Sequence, residues 1–159
     1  MAFSAYLTIT GQKQGAIKGS VTIKGREGSI AVHSFSHSTE LPFDTASGLP
    51  SGKRVHRPFT ITKEIDQSSP LLWNALTNNE SITGWQLKLW QATTGANPQE
   101  IQYYTITLTN ALIVSITESA DDQNPAAAPR EEIAFVFQKI AWTWTAGAIT
   151  GQDNWNTAV

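Results

Sequence analysis

The chain has 159 residues, a formal charge of −2 and no cysteine. That is enough for one full hydrophobic core and too little for two ordinary domains, and it excludes a disulfide framework, a cysteine metal site and the basic face that phosphates require. Charged residues are only 15% of the chain, which also carries six Trp, where roughly 25% charge is usual; either partner subunits cover much of the surface or Ser, Thr, Asn and Gln solvate it. No apolar run reaches the roughly 18 residues that span a bilayer, and MAFSAYLTIT lacks the basic and apolar regions of a signal peptide. Synthesis in the cytoplasm, with no nucleic-acid partner and no membrane insertion, is expected.

Residues 3–10 alternate Phe3, Ala5, Leu7 and Ile9 with polar neighbours, the two-residue period of a strand with one buried face. Gly11, Gly15 and Gly19 mark a loop, Val21–Lys24 reads as a short strand, and Gly25 and Gly28 frame a turn. In the next strand, Ser29–Ser38, Val32 and Phe35 fall on opposite parities, which predicts a bulge or a strand that uses both faces. Thr39–Lys53 has two prolines, two glycines and no periodicity, so it reads as a long loop, of a length that is usually functional.

Phe59, Ile61 and Lys63 alternate with Thr60, Thr62 and Glu64 in a further strand. Asp66, Ser68 and Ser69 then offer side-chain oxygens to a helical first turn, and Pro70 suits the first helical position, which puts the N-cap at Ser69 and a helix over 69–79. Leu71, Leu72, Ala75 and Leu76 form its apolar stripe, and Asn78 and Asn79 tolerate the left-handed stop. So short a helix must pack on a sheet.

Ser81–Ala92, Glu100–Leu108 and Ala111–Glu118 read as strands, with Asn110 at a junction and Ser119–Arg130 as a second long loop. Glu131–Thr145 alternates Ile133, Phe135 and Phe137, then shifts phase to Ile140, Trp142 and Trp144, as a bulged barrel strand does. Gly147–Val159 reads as a polar tail with Trp155 as its anchor. Seven or eight consecutive strands must manage their sheet edges, and closing into a barrel is the usual solution.

No catalytic, metal or cofactor site is expected. His33 and His37 lie about 13 Å apart on one strand face, too far to share a metal directly, although His56 could join one of them. Glu64 and Asp66 share a parity without a nearby nucleophile, and capping suffices for Asp66. GLPSGKR, residues 48–54, fails as a phosphate loop: only three residues separate its glycines and Arg54 replaces the Ser/Thr that would reach magnesium.

Pro50-Ser51-Gly52-Lys53-Arg54, Thr60-Ile61-Thr62-Lys63-Glu64-Ile65-Asp66 and Ser68-Ser69-Pro70-Leu71-Leu72 closely resemble the signature of the Hcp family, the haemolysin-coregulated tube proteins of bacterial type VI secretion systems. Gly25–Ile30 looks like the family's entry to its second strand, and Gln138-Lys139-Ile140 with Trp142-Thr143-Trp144 like its last. The resemblance implies one domain over 1–159, a mainly β fold built as a small antiparallel β-barrel with one short α-helix on its side, and six copies in a ring. It implies that rings stack into the inner tube that a contractile sheath expels, so that the protein leaves the cytoplasm without a signal peptide.

The implied partners are five further copies, neighbouring rings, the tube-tip spike, sheath and baseplate proteins, and effectors in the ring lumen. Leu41, Pro42, Phe43, Leu49 and Pro50 are expected to dock between stacked rings. Ser34, Ser36 and His37 are expected to face the lumen. The alternatives are a barrel that binds a small apolar ligand, against which the many bulky inward residues speak, and an enzyme, for which no constellation stands out. The Gln12–Gly19 insert and the 147–159 tail depart from shorter family members.

Overall fold

The computed structural model describes residues 3–124 and 126–155. In chain order the elements are β1 Phe3–Gly11, β2 Gly15–Ile17, β3 Ile30–Val32, β4 Ser34–Ser36, β5 Thr39–Glu40, β6 Val55–His56, β7 Phe59–Glu64, α1 Ser69–Thr77, β8 Ile82–Ala92, β9 Glu100–Thr109, β10 Leu112–Ser119, β11 Arg130–Val136, β12 Lys139–Trp144 and β13 Ile149–Asn154. A seven-stranded sheet runs β13-β12-β9-β8-β1-β2, with β3 also paired to β1, and a four-stranded sheet runs β10-β11-β7-β4. Every ladder is antiparallel. Leu7, Ile9, Trp85 and Leu87 from the larger sheet meet Phe59, Ile61, Ile133 and Phe135 from the smaller, all buried. Trp85 sets its ring edge-on between Phe59 and Phe135, with centroids at 5.0 and 5.5 Å, the offset geometry that aromatic quadrupoles favour.

Both parity breaks mark places where the chain changes sheets rather than bulges. β3 pairs with β1 and β4 with β7, and between them the His33 N–H donates to the Thr62 carbonyl at 2.8 Å. Likewise β11 lies in the smaller sheet and β12 in the larger, and the Ile133/Ile140 phase shift falls at Phe137 and Gln138, where the chain crosses. A residue that leaves one sheet for the other must swap faces to stay in the shared core, which is what the sequence records. The two crossings and one isolated bridge, Ile82 to Ala111, bring the sheets together. Among the described residues no ladder joins β2 or β13 to β4 or β10, so the barrel stays open.

Three segments read as irregular contain strand. Residues 12–19 hold β2, which returns on β1 after Gly15 at φ 73°. The 147–159 segment forms β13 against β12; its polar sequence hides it because an edge strand needs only backbone pairing, and Ala148 at φ 51° makes the turn. Residues 156–159 of that expected tail lie outside the described residues. The third is the long loop, taken up below. Conversely Val21–Lys24 is not a strand: Gly25 and Gly28, both at positive φ, curl the chain so that Gly28 N–H bonds back to Val21 and Gly19 N–H to Gly28.

The helix begins one residue early, with Ser68 at the N-cap and Ser69 inside. The reason is chemical: the Ser69 hydroxyl is drawn away to Glu131 at 2.7 Å, while the Asp66 carboxylate takes the Ser68 N–H at 2.9 Å. Asn79 ends the helix at φ 56°. Leu72 and Ala75 are buried, Leu71 and Leu76 partly so, and the helix lies against β10.

Candidate functional site

Residues 39–56 form an arm. Its root is the ladder Thr39↔His56 and Glu40↔Val55, and further out Phe43 bridges Pro50, with Ser51 N–H donating to the Pro42 carbonyl at 2.9 Å. The tip turns on Asp44, whose carboxylate accepts from Ala46 N–H and Ser47 Oγ, both at 3.0 Å; these bonds hold its pKa below the ordinary value. Leu41, Phe43 and Leu49 are 53, 63 and 66% exposed, and Pro42 and Pro50 are exposed beside them. An arm ordered by its own backbone bonds therefore presents large apolar side chains to solvent.

The root is tied to β13 by groups far apart in sequence. Asp153 Oδ2 accepts from Arg54 Nε at 2.8 Å and from His56 Nε2 at 2.6 Å, and Arg54 also donates to the Asn154 carbonyl at 2.5 Å. These bonds depress the Asp153 pKa to about 2. With Nε2–H committed to the carboxylate, His56 Nδ1 is an acceptor, taking Thr39 Oγ1–H at 2.9 Å and His37 Nε2–H at 3.3 Å. His37 is stacked between His56 and Phe59, at 5.4 and 5.5 Å. Burial first, and electrostatic coupling to the neighbouring His56 second, push the His37 pKa down.

Thr39, His56 and Asp153 thus have the spacing of a nucleophile–base–carboxylate relay, but the His56 side chain is 2% exposed under Phe137 and Trp155, and its one lone pair is shared by two donors. The arrangement works as a clamp. Sequence reading named both histidines and missed Arg54 and Asp153 as partners; 97 residues separate His56 from Asp153, and no local pattern announces such a pair. Among the described residues no group of three His, Asp or Glu could hold a metal.

Ser34 and Ser36 are exposed, with Phe35 turned inward between them and stacked on Phe59 at 5.8 Å. The ladders extend them into two rows across the outer face of the smaller sheet, Ser36–Thr60–Ala134–Ser115 and Ser34–Thr62–Glu132–Thr117. This wall is made almost wholly of small and hydroxylic side chains. His37 is not part of it. It shares the inner parity with Phe35 and joins the aromatic cluster, so the structure separates it from the serines with which it was grouped.

Glu64 and Asp66 do not form an acid–base pair. Glu64 accepts from exposed His33 at 3.1 Å, whereas Asp66 turns to Lys63 at 3.0 Å. Burial alone would raise the Asp66 pKa; hydrogen bonds from Ser68 and Lys63 outweigh it and lower the value. Lys63 is wholly buried and also bonds Glu131, wholly buried too, so the strand, the helix start and β11 share one ionic cluster.

The family model described as "Type VI secretion system effector, Hcp" matches residues 6–144. The chain belongs to the Hcp family. It is 38% identical, over its full length and 99% of the relative's, to the "Major exported protein" of Pseudomonas aeruginosa PAO1. Among solved structures, an Hcp protein crystal structure superposes with a TM-score of 0.88 at 28% identity, covering 99% of this chain and all of that one. A doubly substituted Hcp1 from E. coli EAEC 042 gives 0.83 at 32%, covering 97 and 99%. Secreted Hcp3 from Pseudomonas aeruginosa gives 0.76 at 31%, covering 98 and 100%. Within the signature of this Hcp protein, Lys63, Asp66 and Ser69 serve the fold, forming with Glu131 the ionic cluster under the helix.

Proposed function

We propose that this Hcp protein is a single-domain subunit of a hexameric ring, that rings stack through the arm into the inner tube of a type VI secretion system, and that the hydroxylic wall faces a lumen that carries effectors. It is made in the cytoplasm and exported when sheath and baseplate drive the tube and its spike outward. The observation that carries the reading is the arm: Leu41, Phe43 and Leu49 are each more than half exposed on an ordered hairpin. Covering what they expose would contribute about 3–5 kcal/mol per arm, taking 1.5–3 kcal/mol for a fully buried side chain. That is too little to hold one pair of subunits against an association cost of about 4–15 kcal/mol. Six arms acting together across a ring face supply on the order of 20–30 kcal/mol, so stacking works only between rings. The alternative of an interior ligand site is disfavoured by Phe59, Trp85 and Phe135, which fill the middle of the space between the sheets and leave beside Phe35 and Trp142 a cavity of about 200 Å³, below the roughly 300–1,000 Å³ usual for small-molecule sites.

The test replaces Leu41, Phe43 and Leu49 together by Ser. Rings of wild-type mass should form while tubes, seen by negative-stain microscopy, should not, and secretion should stop. Tubes of wild-type length and abundance from this variant would refute the stacking role, and loss of the rings themselves would move the arm into the ring interface.

A further inference from the structure

The arm's root has a feature that stacking does not require. Two imidazole rings lie nearly parallel, 10° apart, with His37 Nε2 at 3.3 Å from His56 Nδ1. Only one proton fits between those nitrogens. The geometry points to a proton-controlled latch: His37 and His56 together accept one added proton, and a second one parts them and frees the first limb of the arm, His37–Glu40, from the sheets.

In the neutral pair, His37 Nε2–H donates to His56 Nδ1 and His56 Nε2–H to Asp153. A first proton on His37 Nδ1 keeps every one of these bonds. Alternatively it sits on His56 Nδ1, with His37 changing tautomer to accept it. Either way one cation is balanced through His56 by the Asp153 carboxylate, which stays ionised to about pH 2. A second proton leaves two cations stacked at 5.4 Å with N–H facing N–H, inside aromatic walls that screen poorly.

The other groups around the pair do not relieve this. Arg54 adds positive charge on the His56 side, Thr39 offers a hydroxyl, and Glu40 is held by Arg57 at the surface. Facing His37 from β9 is Tyr104, whose phenol is kept neutral by burial. Phe59, Phe137 and Trp142 contribute ring faces and edges.

The ring that leaves is His37. His56 is buried and keeps its carboxylate, whereas His37 closes one side of an open cavity of about 200 Å³ between Phe35, Phe59, Tyr104 and Trp142. The sign agrees with its lowered pKa: a histidine that the fold holds neutral contributes fully above its unfolded value near 6.5, and that contribution is lost as pH falls below it. Besides His37, the limb is held by a root ladder two residue pairs long, by Arg57 N–H on the Ser38 carbonyl at 3.0 Å, by the Thr39 hydroxyl on the same His56 nitrogen and by the exposed Glu40–Arg57 pair. The consequence for stacking, that acid loosens the arm on its Arg54–His56–Asp153 hinge, rests on the tube reading. The latch itself does not.

Because the chain has no cysteine, Ser38→Cys takes a single nitroxide beside His37. Its electron paramagnetic resonance line shape is followed from pH 7.5 to 4.5. The expected result is an immobilised spectrum at pH 7.5 that turns mobile with a midpoint below 6.5, while sheet circular dichroism stays constant. His37→Phe, which keeps the stack without the charge, should remain immobilised throughout, and His33→Gln should behave as wild type. A flat wild-type titration, a transition that survives His37→Phe, or one that coincides with loss of sheet signal would overturn the latch. If His37→Phe misfolds, the 13C-labelled His37 and His56 rings in wild type decide: the pair must take up its two protons in separate steps, the mobility change must coincide with the second, and a change that comes with the first step, or more than one pH unit away from the second, overturns the proposal. A failed latch with intact rings leaves the tube reading standing, and absent rings with a working latch do the reverse.

Discussion

Replacing Glu131 by Leu should destabilise the fold more than any surface change, because it strands a charge. Lys63 and Glu131 side chains are both 0% exposed and in contact, and Glu131 also takes the Ser69 hydroxyl. Removing one partner of a buried pair typically costs about 3–5 kcal/mol. Lys63 keeps Asp66 at 3.0 Å, so the lower end applies, about 3 kcal/mol, or about 6–12 °C in Tm for a domain of this size. The double variant Lys63→Met with Glu131→Leu should lie within about 1 kcal/mol of wild type, since an apolar pair of similar volume avoids the desolvation of both charges. Urea denaturation of all four proteins, at one protomer concentration because assembly shifts apparent stability, gives the cycle. A Glu131→Leu cost below about 1 kcal/mol, or a double variant as unstable as the two single changes summed, would show that the cluster does not hold the helix start to the sheet as described.

Two further outcomes follow from the clamp and the wall. Asp153 is depressed from 3.8 to about 2, so its contribution is complete above about pH 4 and is lost as pH falls through 2; discounted for a side chain 27% exposed, it is about 1–2 kcal/mol. Asp153→Asn should lower Tm by about 2–8 °C at pH 7 and by much less near pH 2, and an equal loss at both, in a thermal series, would rule the ionic clamp out. Ser36→Arg places a long charge in the hydroxyl row with Thr60 and Ala134; rings should form while a lumen-bound effector loses its protection in producing cells, and an unchanged effector level would remove Ser36 from the lumen.

Alternation made most of the long strands legible, because one face of each is buried: Phe59, Ile61 and Lys63 point inward as their spacing requires. The same reading could not say why Lys63, a charged residue, occupies an inward position, since its partner Glu131 comes from β11. The phase breaks at Val32/Phe35 and at Phe137/Ile140 were visible, yet a bulge and a change of sheet leave the same mark in a sequence, and only the pairing of β3 with β1 and of β4 with β7 tells them apart. β13 left no mark, as its ladder with β12 uses backbone groups that every residue carries. The apolar residues of the arm could be named from composition, but their exposure, and the histidine clamp beneath them, depend on contacts between segments nearly a hundred residues apart.

The mass of the protein in dilute solution tests the central claim most directly. Sedimentation or light scattering at micromolar concentration should show one species of six times 17.3 kDa, about 104 kDa, as expected of a heterologous contact that closes at six, and negative-stain images should show rings. A persistent 17.3 kDa monomer without rings would contradict the account.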